Sequence, residues 1–221
     1  MRIVGLLWCF AALCSCGTNA VGPGMLVPAE WVTSDDDAFR WREGADGRAE
    51  LALEKPAAYR PPVRAPQGIA LWRRESFADF ELWAEVQQDG REYPHRDLCM
   101  FFAYHDPTHF GYVHLASSAD DNAHGVFLVD GAPRRQVTTS RTKGVVWGDP
   151  SSRHRVHMKR NGPVLRVWFD GDEAPVLVAD VSLCGEGYLG FGSFDDTGVL
   201  HSFEASGMQG ARPVDPLFGA R

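Results

Sequence analysis

Apolar and polar residues alternate with a period of two along most of this chain. Phe80-Glu81-Leu82-Trp83-Ala84-Glu85-Val86 is one such run, bounded by Asp79 and by Asp89-Gly90. Leu98 to His105, Gly111 to Ala116 and Gly125 to Val129 follow, with turns at Asp106-Pro107-Thr108-His109 and Asp130-Gly131. His154 to Lys159 and Val164 to Phe169 flank Arg160-Asn161-Gly162, which predicts a hairpin with an Asn-Gly turn. Tyr188 to Phe194 and Ser202 to Ser206 close the series. No stretch carries a convincing amphipathic helix pattern. About ten short strands with frequent turns predict an all-β fold, a two-sheet antiparallel jelly-roll sandwich.

The chain has 221 residues, enough for one domain of this class, and its 44% hydrophobic content supports a full core. A net charge of −7 argues against a duplex nucleic-acid binder, which needs a basic footprint. Arg2 followed by the uncharged apolar run Ile3 to Leu13 reads as a targeting signal, too short to span a bilayer. Leu13-Cys14-Ser15-Cys16 resembles the lipobox of bacterial lipoproteins, with Cys16 as the lipidated residue; a plain secretory signal is the alternative. The expected organisation is signal peptide 1–16, tether 17–28, sandwich 29–207 and C-terminal tail 208–221. The expected location is the bacterial cell envelope, as a periplasmic or outer-surface lipoprotein that meets the membrane only through its lipid. Of the five cysteines, Cys99 and Cys184 remain for the folded domain. Spacing leaves open whether they form a disulfide, with two separate thiols the plainer reading. No Cys and His lie at zinc-site spacing, so a structural zinc site is not expected.

Five of eight histidines, His95, His105, His109, His114 and His124, fall between Gly90 and His124, among Arg96, Asp97, Asp106, Asp120 and Asp121 and six Phe and Tyr residues. Packing needs the aromatics. It does not need so many titratable groups beside them, because buried charge is costly unless paired. With the turn at Asp106–Phe110, Tyr104 pairs near Tyr112 and Phe102 near His114. One face then shows Phe102, Tyr104, Tyr112 and His114, and the core face shows Phe101, Ala103, Val113 and Leu115. Trp83, Glu85 and Gln87 share a face of a neighbouring strand. A register slip of one residue would turn these assignments over. Such a face of rings and polar tips suits a saccharide, whose C–H faces stack on aromatics while hydroxyls meet Tyr, His, Asp and Arg. His95 and Arg96 sit in a loop stiffened by Pro94, and His124 closes the loop Ala119-Asp120-Asp121-Asn122-Ala123. A second packed layer, a core histidine at 114, and an Arg96–Asp97 ion pair or turn clamp are the structural alternatives.

Four segments carry a family likeness: Lys143-Gly144-Val145-Val146-Trp147-Gly148-Asp149, then His154-Arg155-Val156-His157-Met158-Lys159-Arg160, then Val167-Trp168-Phe169-Asp170-Gly171, then Gly187-Tyr188-Leu189-Gly190-Phe191-Gly192-Ser193-Phe194-Asp195-Asp196-Thr197-Gly198. Over residues 30–207 this succession resembles the concanavalin A-like lectin/glucanase superfamily, in particular exported bacterial laminin-G-like and 3-keto-disaccharide hydrolase-like domains. The resemblance implies a carbohydrate partner and leaves lectin, hydrolase and lyase open. The chain lacks the E-x-D-x-x-E strand motif of retaining glucanases. Glu81 and Glu85, roughly 13 Å apart along a strand, are too distant for a retaining pair.

Saccharide binding is the leading expectation, with Trp83, Gln87, His95, Arg96, Tyr104, Tyr112 and His124 as binding residues. Glycan cleavage is the alternative. In a hydrolase, Glu85 or Asp97 would act as acid or base beside His114. In a polysaccharide lyase, Tyr112 or His114 would take the C5 proton while Arg96 and Gln87 neutralise the uronate. A surface lipoprotein without ligand is the third reading. Oxygen-rich loops at Asp120 and Asp121 and at Asp195 and Asp196 make Ca²⁺ the candidate cofactor.

Overall fold

The computed structural model describes residues 24–219. The expected signal peptide and Cys16 lie outside the described residues. Fourteen strands carry the fold: β1 (Trp31–Thr33), β2 (Phe39–Glu43), β3 (Ala49–Leu53), β4 (Gly68–Gln88), β5 (Asp97–Asp106), β6 (His109–Ala116), β7 (Gly125–Asp130), β8 (Arg135–Gln136), β9 (Thr138–Arg141), β10 (Arg153–Asn161), β11 (Val164–Phe169), β12 (Leu177–Asp180), β13 (Gly187–Ser193) and β14 (Gly198–Gln209). Helical structure among the described residues is a single 3-10 turn, Pro28–Glu30.

Every strand pairing is antiparallel. The first layer runs β8-β7-β6-β5-β13 and ends on the first half of β4, which also pairs β1. The second layer runs β2-β3-β14, then the second half of β4, then β10-β11-β12-β9. The 21-residue β4 therefore belongs to both layers. Leu82, Val86, Met100, Phe102, Val113, Leu115, Val156, Met158 and Phe191 pack in the core between them. Gly192 sits so close to Gly68 that a Cβ would lie 1.9 Å from its carbonyl oxygen. The β10–β11 turn is shifted by one residue from the Asn-Gly expectation. Asn161 and Val164 form the closing pair around Gly162, at φ 54°, and Pro163.

The first layer is buried on both faces. Eight successive residues of β5, Asp97 to Tyr104, are buried, which hides its alternation in the sequence. Outside this layer a second apolar cluster joins Ile69, Leu71, Cys99, Phe101, Tyr104, Phe110, Tyr112 and Phe127 to Leu217 and Phe218 of the tail. The tail is thus docked, with the Tyr104 hydroxyl donating to Leu217 O at 2.9 Å. At the other end of the expected tether, Leu26 is buried.

The β5–β6 register differs from the expected one. Phe101 faces Tyr112 and Cys99 faces His114, so Phe102 lies in the main core and Phe101 on the outer face. The register breaks between Phe102 and Asp106, where Ala103 adopts φ 49°. That bulge returns Tyr104 to the face of Phe101. Val113 and Leu115 face the core as expected.

Candidate functional site

Asp97 opens β5, and His114 lies in β6 opposite Cys99. Residues 97 and 99 alternate to the same side of β5, and cross-strand partners share a face. All three residues therefore point away from the main core. They meet at the end of the outer apolar cluster, where rings give way to polar groups. Asp97 Oδ1 accepts from Ser193 Oγ at 2.8 Å. Asp97 Oδ2 lies 2.8 Å from His114 Nε2, with both side chains almost wholly buried. The other ring nitrogen, His114 Nδ1, is 3.1 Å from the carbonyl oxygen of Asn122. A carbonyl only accepts, so Nδ1 carries the donated proton.

Above this pair opens a cleft of about 390 Å³, whose walls include Arg64, Gln67, Tyr93, His95, Asn122, Arg134, Phe194 and Asp195. Arg134 is held against two rings. Its guanidinium lies 4.7 Å from the Phe127 ring centre and 4.6 Å from that of Phe194, while its nitrogens donate to Tyr112 Oη at 2.8 Å and to Asn122 O at 3.0 Å. On the rim, His95 Nε2 pairs with Asp120 Oδ2 at 2.7 Å. Asp120 Oδ1 accepts from the backbone N–H groups of Asn122 and Ala123, closing an Asx turn.

Asp196 sits behind the cleft and accepts from the Asp97 N–H at 2.9 Å and from the Tyr93 hydroxyl at 2.8 Å. Burial, with the Asp97 and Asp195 charges beside it, raises its pKa to about 6 against those hydrogen bonds. Burial also raises the Tyr93 phenol, and its bond to Asp196 acts the same way. Burial pushes the Cys99 thiol well up, with the Asp97 carboxylate adding to it. Burial works against the Asp120 carboxylate, yet the hydrogen bonds from Asn122 and His95 hold it below its ordinary range. Burial, then His114 and Arg141, lower His124 to about 4.

The structure brings Asp97, His114, His95, Asp120, Asp195 and Asp196 to one end of the first layer, with Tyr112 joined to them through Arg134, and separates Trp83, Glu85 and Gln87 from them. Trp83, Glu85 and Gln87 lie on the outer face of the second layer, because β13 stands between β5 and β4. There Trp83 stacks on His157 at 3.7 Å, Glu85 pairs with Arg153 at 2.9 Å, and Gln87 donates to Pro150 O at 2.8 Å. Arg96 is buried and turned from the cleft. It binds the side-chain oxygen of Gln88, the carbonyl of Gln88 at 2.6 Å and that of Gly148 at 2.9 Å, a clamp between segments rather than a saccharide contact or a partner of Asp97. Tyr104 and Tyr112 are fully buried, with their hydroxyls bound to Leu217 O and Arg134. His124 is fully buried against Thr142 Oγ1 at 2.9 Å. Asp121 is exposed beside Asp120. Among the described residues, Asp120 and Asp121 do not gather with Asp195 and Asp196 into a common set of metal-ligand oxygens. Asp120 uses both oxygens on His95 and the Asn122 and Ala123 N–H groups, and Asp196 Oδ2 accepts from Tyr93 and the Asp97 N–H. Cys99 and Cys184 are separate free thiols.

Sequence reasoning did not single out Arg64, Gln67 or Arg134. Arg134 lies between two turns and two-residue β8, where no periodicity marks it; its neighbours Pro133 and Arg135 were the available signal.

No protein-family model matches the sequence, and no curated protein sequence matches it. Solved structures do. A carbohydrate binding module, CBM66, from Bacillus subtilis superposes with a TM-score of 0.57 at 13% identity, covering 80% of this chain and 96% of that one. A xylan beta-1,4-xylosidase from Bacillus halodurans gives 0.56 at 12% identity over 84% of this chain, and a GH43 protein from Bacillus licheniformis gives 0.55 at 9% over 83%. This chain spans only 38% of the length of each of those two enzymes. At such identities the likeness is one of architecture, and the chain folds as a concanavalin A-like jelly-roll sandwich.

Proposed function

We propose that this protein binds a saccharide in the cleft above Asp97 and His114, as an exported lipoprotein held to the envelope through Cys16. The reading rests on one placement: the half-buried Phe194 ring shares the cleft with Tyr93, His95, Asn122 and a guanidinium packed against two rings. Sugar C–H faces stack on such a ring, and preset polar groups meet hydroxyls without a large ordering penalty. The fold shared with a carbohydrate binding module supports the same reading. Glycan cleavage on the same floor is the second reading, favoured by the buried Asp97–His114 contact as an acid–base pair.

A glycan array followed by calorimetry tests both, with reducing ends measured in parallel. Phe194→Ala is expected to weaken binding about tenfold, equal to about 1.4 kcal/mol, while Trp83→Ala on the far layer leaves it unchanged. Release of reducing ends that is lost with Asp97→Asn would select the second reading. Absence of binding to any glycan, or binding lost through Trp83→Ala alone, would remove the cleft from consideration.

A further inference from the structure

Among the described residues one group offers three unlike metal-ligand atoms at a single point: a carboxylate oxygen of Asp97, Sγ of Cys99 and a ring nitrogen of His114, all within 4.8 Å of one another and all on buried residues. His114 Nε2 carries the signature of a missing partner. It is fully enclosed, and although Asp97 Oδ2 is 2.8 Å away, the two are not aligned as a hydrogen bond. Nδ1 donates to the Asn122 carbonyl, which leaves Nε2 as the ring nitrogen available to a further partner. A cation held between Nε2 and the Asp97 carboxylate would give both a partner. A histidine that donates one N–H to a backbone carbonyl while the other nitrogen faces a carboxylate and a thiol is arranged as metal-ligating histidines are.

We infer that Asp97, Cys99 and His114 form a binding site for a divalent transition-metal ion of zinc-like chemistry, with the fourth position open to the cleft. The mixed oxygen, sulfur and nitrogen set suits Zn²⁺ rather than Ca²⁺, which takes oxygen ligands. Donors around one tetrahedral zinc stand roughly 3.3–3.8 Å apart, so Asp97 Oδ2 and His114 Nε2, now 2.8 Å apart, separate slightly by side-chain rotation as the ion enters. As the metal–sulfur bond forms, the thiol proton passes to solvent. The dication with one thiolate and one carboxylate is then neutral as a unit, which suits a buried position. Ser193 Oγ holds the remaining Asp97 oxygen and the Asn122 carbonyl holds the ring, so two of the three ligands are already oriented. Asp97 and His114 line the cleft, which gives the ion an entry path and an exchangeable ligand. The site shares Asp97 and His114 with the floor of the cleft but is tested without a glycan.

The experiment is a titration of the full chain with Co²⁺ and Zn²⁺ after chelator treatment, with Cys9, Cys14, Cys16 and Cys184 replaced by Ser so that Cys99 is the sole thiol. The expected result is a near-ultraviolet thiolate-to-cobalt charge-transfer band that saturates at one equivalent and is displaced by Zn²⁺, together with a higher melting temperature in Zn²⁺. X-ray absorption of the zinc form should then show one sulfur with nitrogen and oxygen donors. His114→Gln in the same background should lower metal affinity at least tenfold. Absence of the band, zinc bound without a sulfur donor, or a folded His114→Gln variant that binds as tightly as its parent would overturn the assignment.

Discussion

Arg96 offers a sharp test, because sequence alone made it a saccharide contact and the structure makes it a clamp. Its guanidinium ties the end of β4, through the side chain and carbonyl of Gln88, to the loop carbonyl of Gly148, and its own carbonyl accepts from Trp147 Nε1 at 3.0 Å. Replacing it with Met keeps the volume and removes three charge-assisted bonds. Two acceptors sit in the interior, each worth about 1.5 kcal/mol at the lower end for a charged partner, and the partly buried Gly148 carbonyl adds about 1 kcal/mol. The expected loss is about 4 kcal/mol, a large share of the 5–15 kcal/mol typical of a domain. For a chain of this size that lowers the melting temperature by roughly 8–16 °C. Urea unfolding with calorimetry measures it, and Arg96→Lys should fall in between, since it keeps charge but loses the planar fork. A Met variant within about 1 kcal/mol of wild type that has lost glycan binding would refute the clamp and restore Arg96 to the ligand.

Asp196→Asn should gain stability relative to wild type as pH rises. A carboxyl raised to about 6 in the folded state holds its proton where the unfolded chain has released it. Its contribution is complete below the unfolded value near 4 and is lost as pH rises through 6. Melting curves of the two proteins that stay parallel from about pH 4 to pH 7 would contradict this. Gly192→Ala drives a Cβ to within 1.9 Å of Gly68 O and should cost about 3 kcal/mol or more, against about 1 kcal/mol for Gly131→Ala, where no atom lies within 4 Å and only φ 64° resists. Equal melting temperatures for the two would contradict the close approach. Cys16→Ala should move the protein from the membrane fraction to the soluble one; unchanged fractionation would exclude lipidation there.

Strand positions were legible because turns with Gly, Asn and Asp separate them and because half-buried strands keep their alternation, as β10 and β11 do. The first half of β4 was not legible. Ile69-Ala70-Leu71-Trp72 is apolar on both faces, and Arg73-Arg74-Glu75 then breaks the pattern. The β5–β6 register was hidden for a different reason: the bulge at Ala103 obeys backbone geometry rather than hydrophobic spacing. Asp97 and His114 were legible as charges out of place on an apolar hairpin. Cys99 was not, since a buried thiol reads as a small apolar residue, and the 14 residues between it and His114 conceal that they face each other across two strands.

The shared strand β4 also governs when the molecule can form. Its partners lie on both sides of it in the chain. β1 precedes it, whereas β10, β13 and β14 follow, and Ala84 waits for Phe203. A chain still being synthesised thus holds β4 with most of its edges unpaired until nearly the whole domain is available. Distant pairings of this kind slow folding. They also couple the layers, so that neither sheet has a complete set of neighbours without the other. Unfolding should accordingly be a single event for the whole sandwich, and a polypeptide that stays open until its last strand arrives is one that can be threaded through a membrane before it closes.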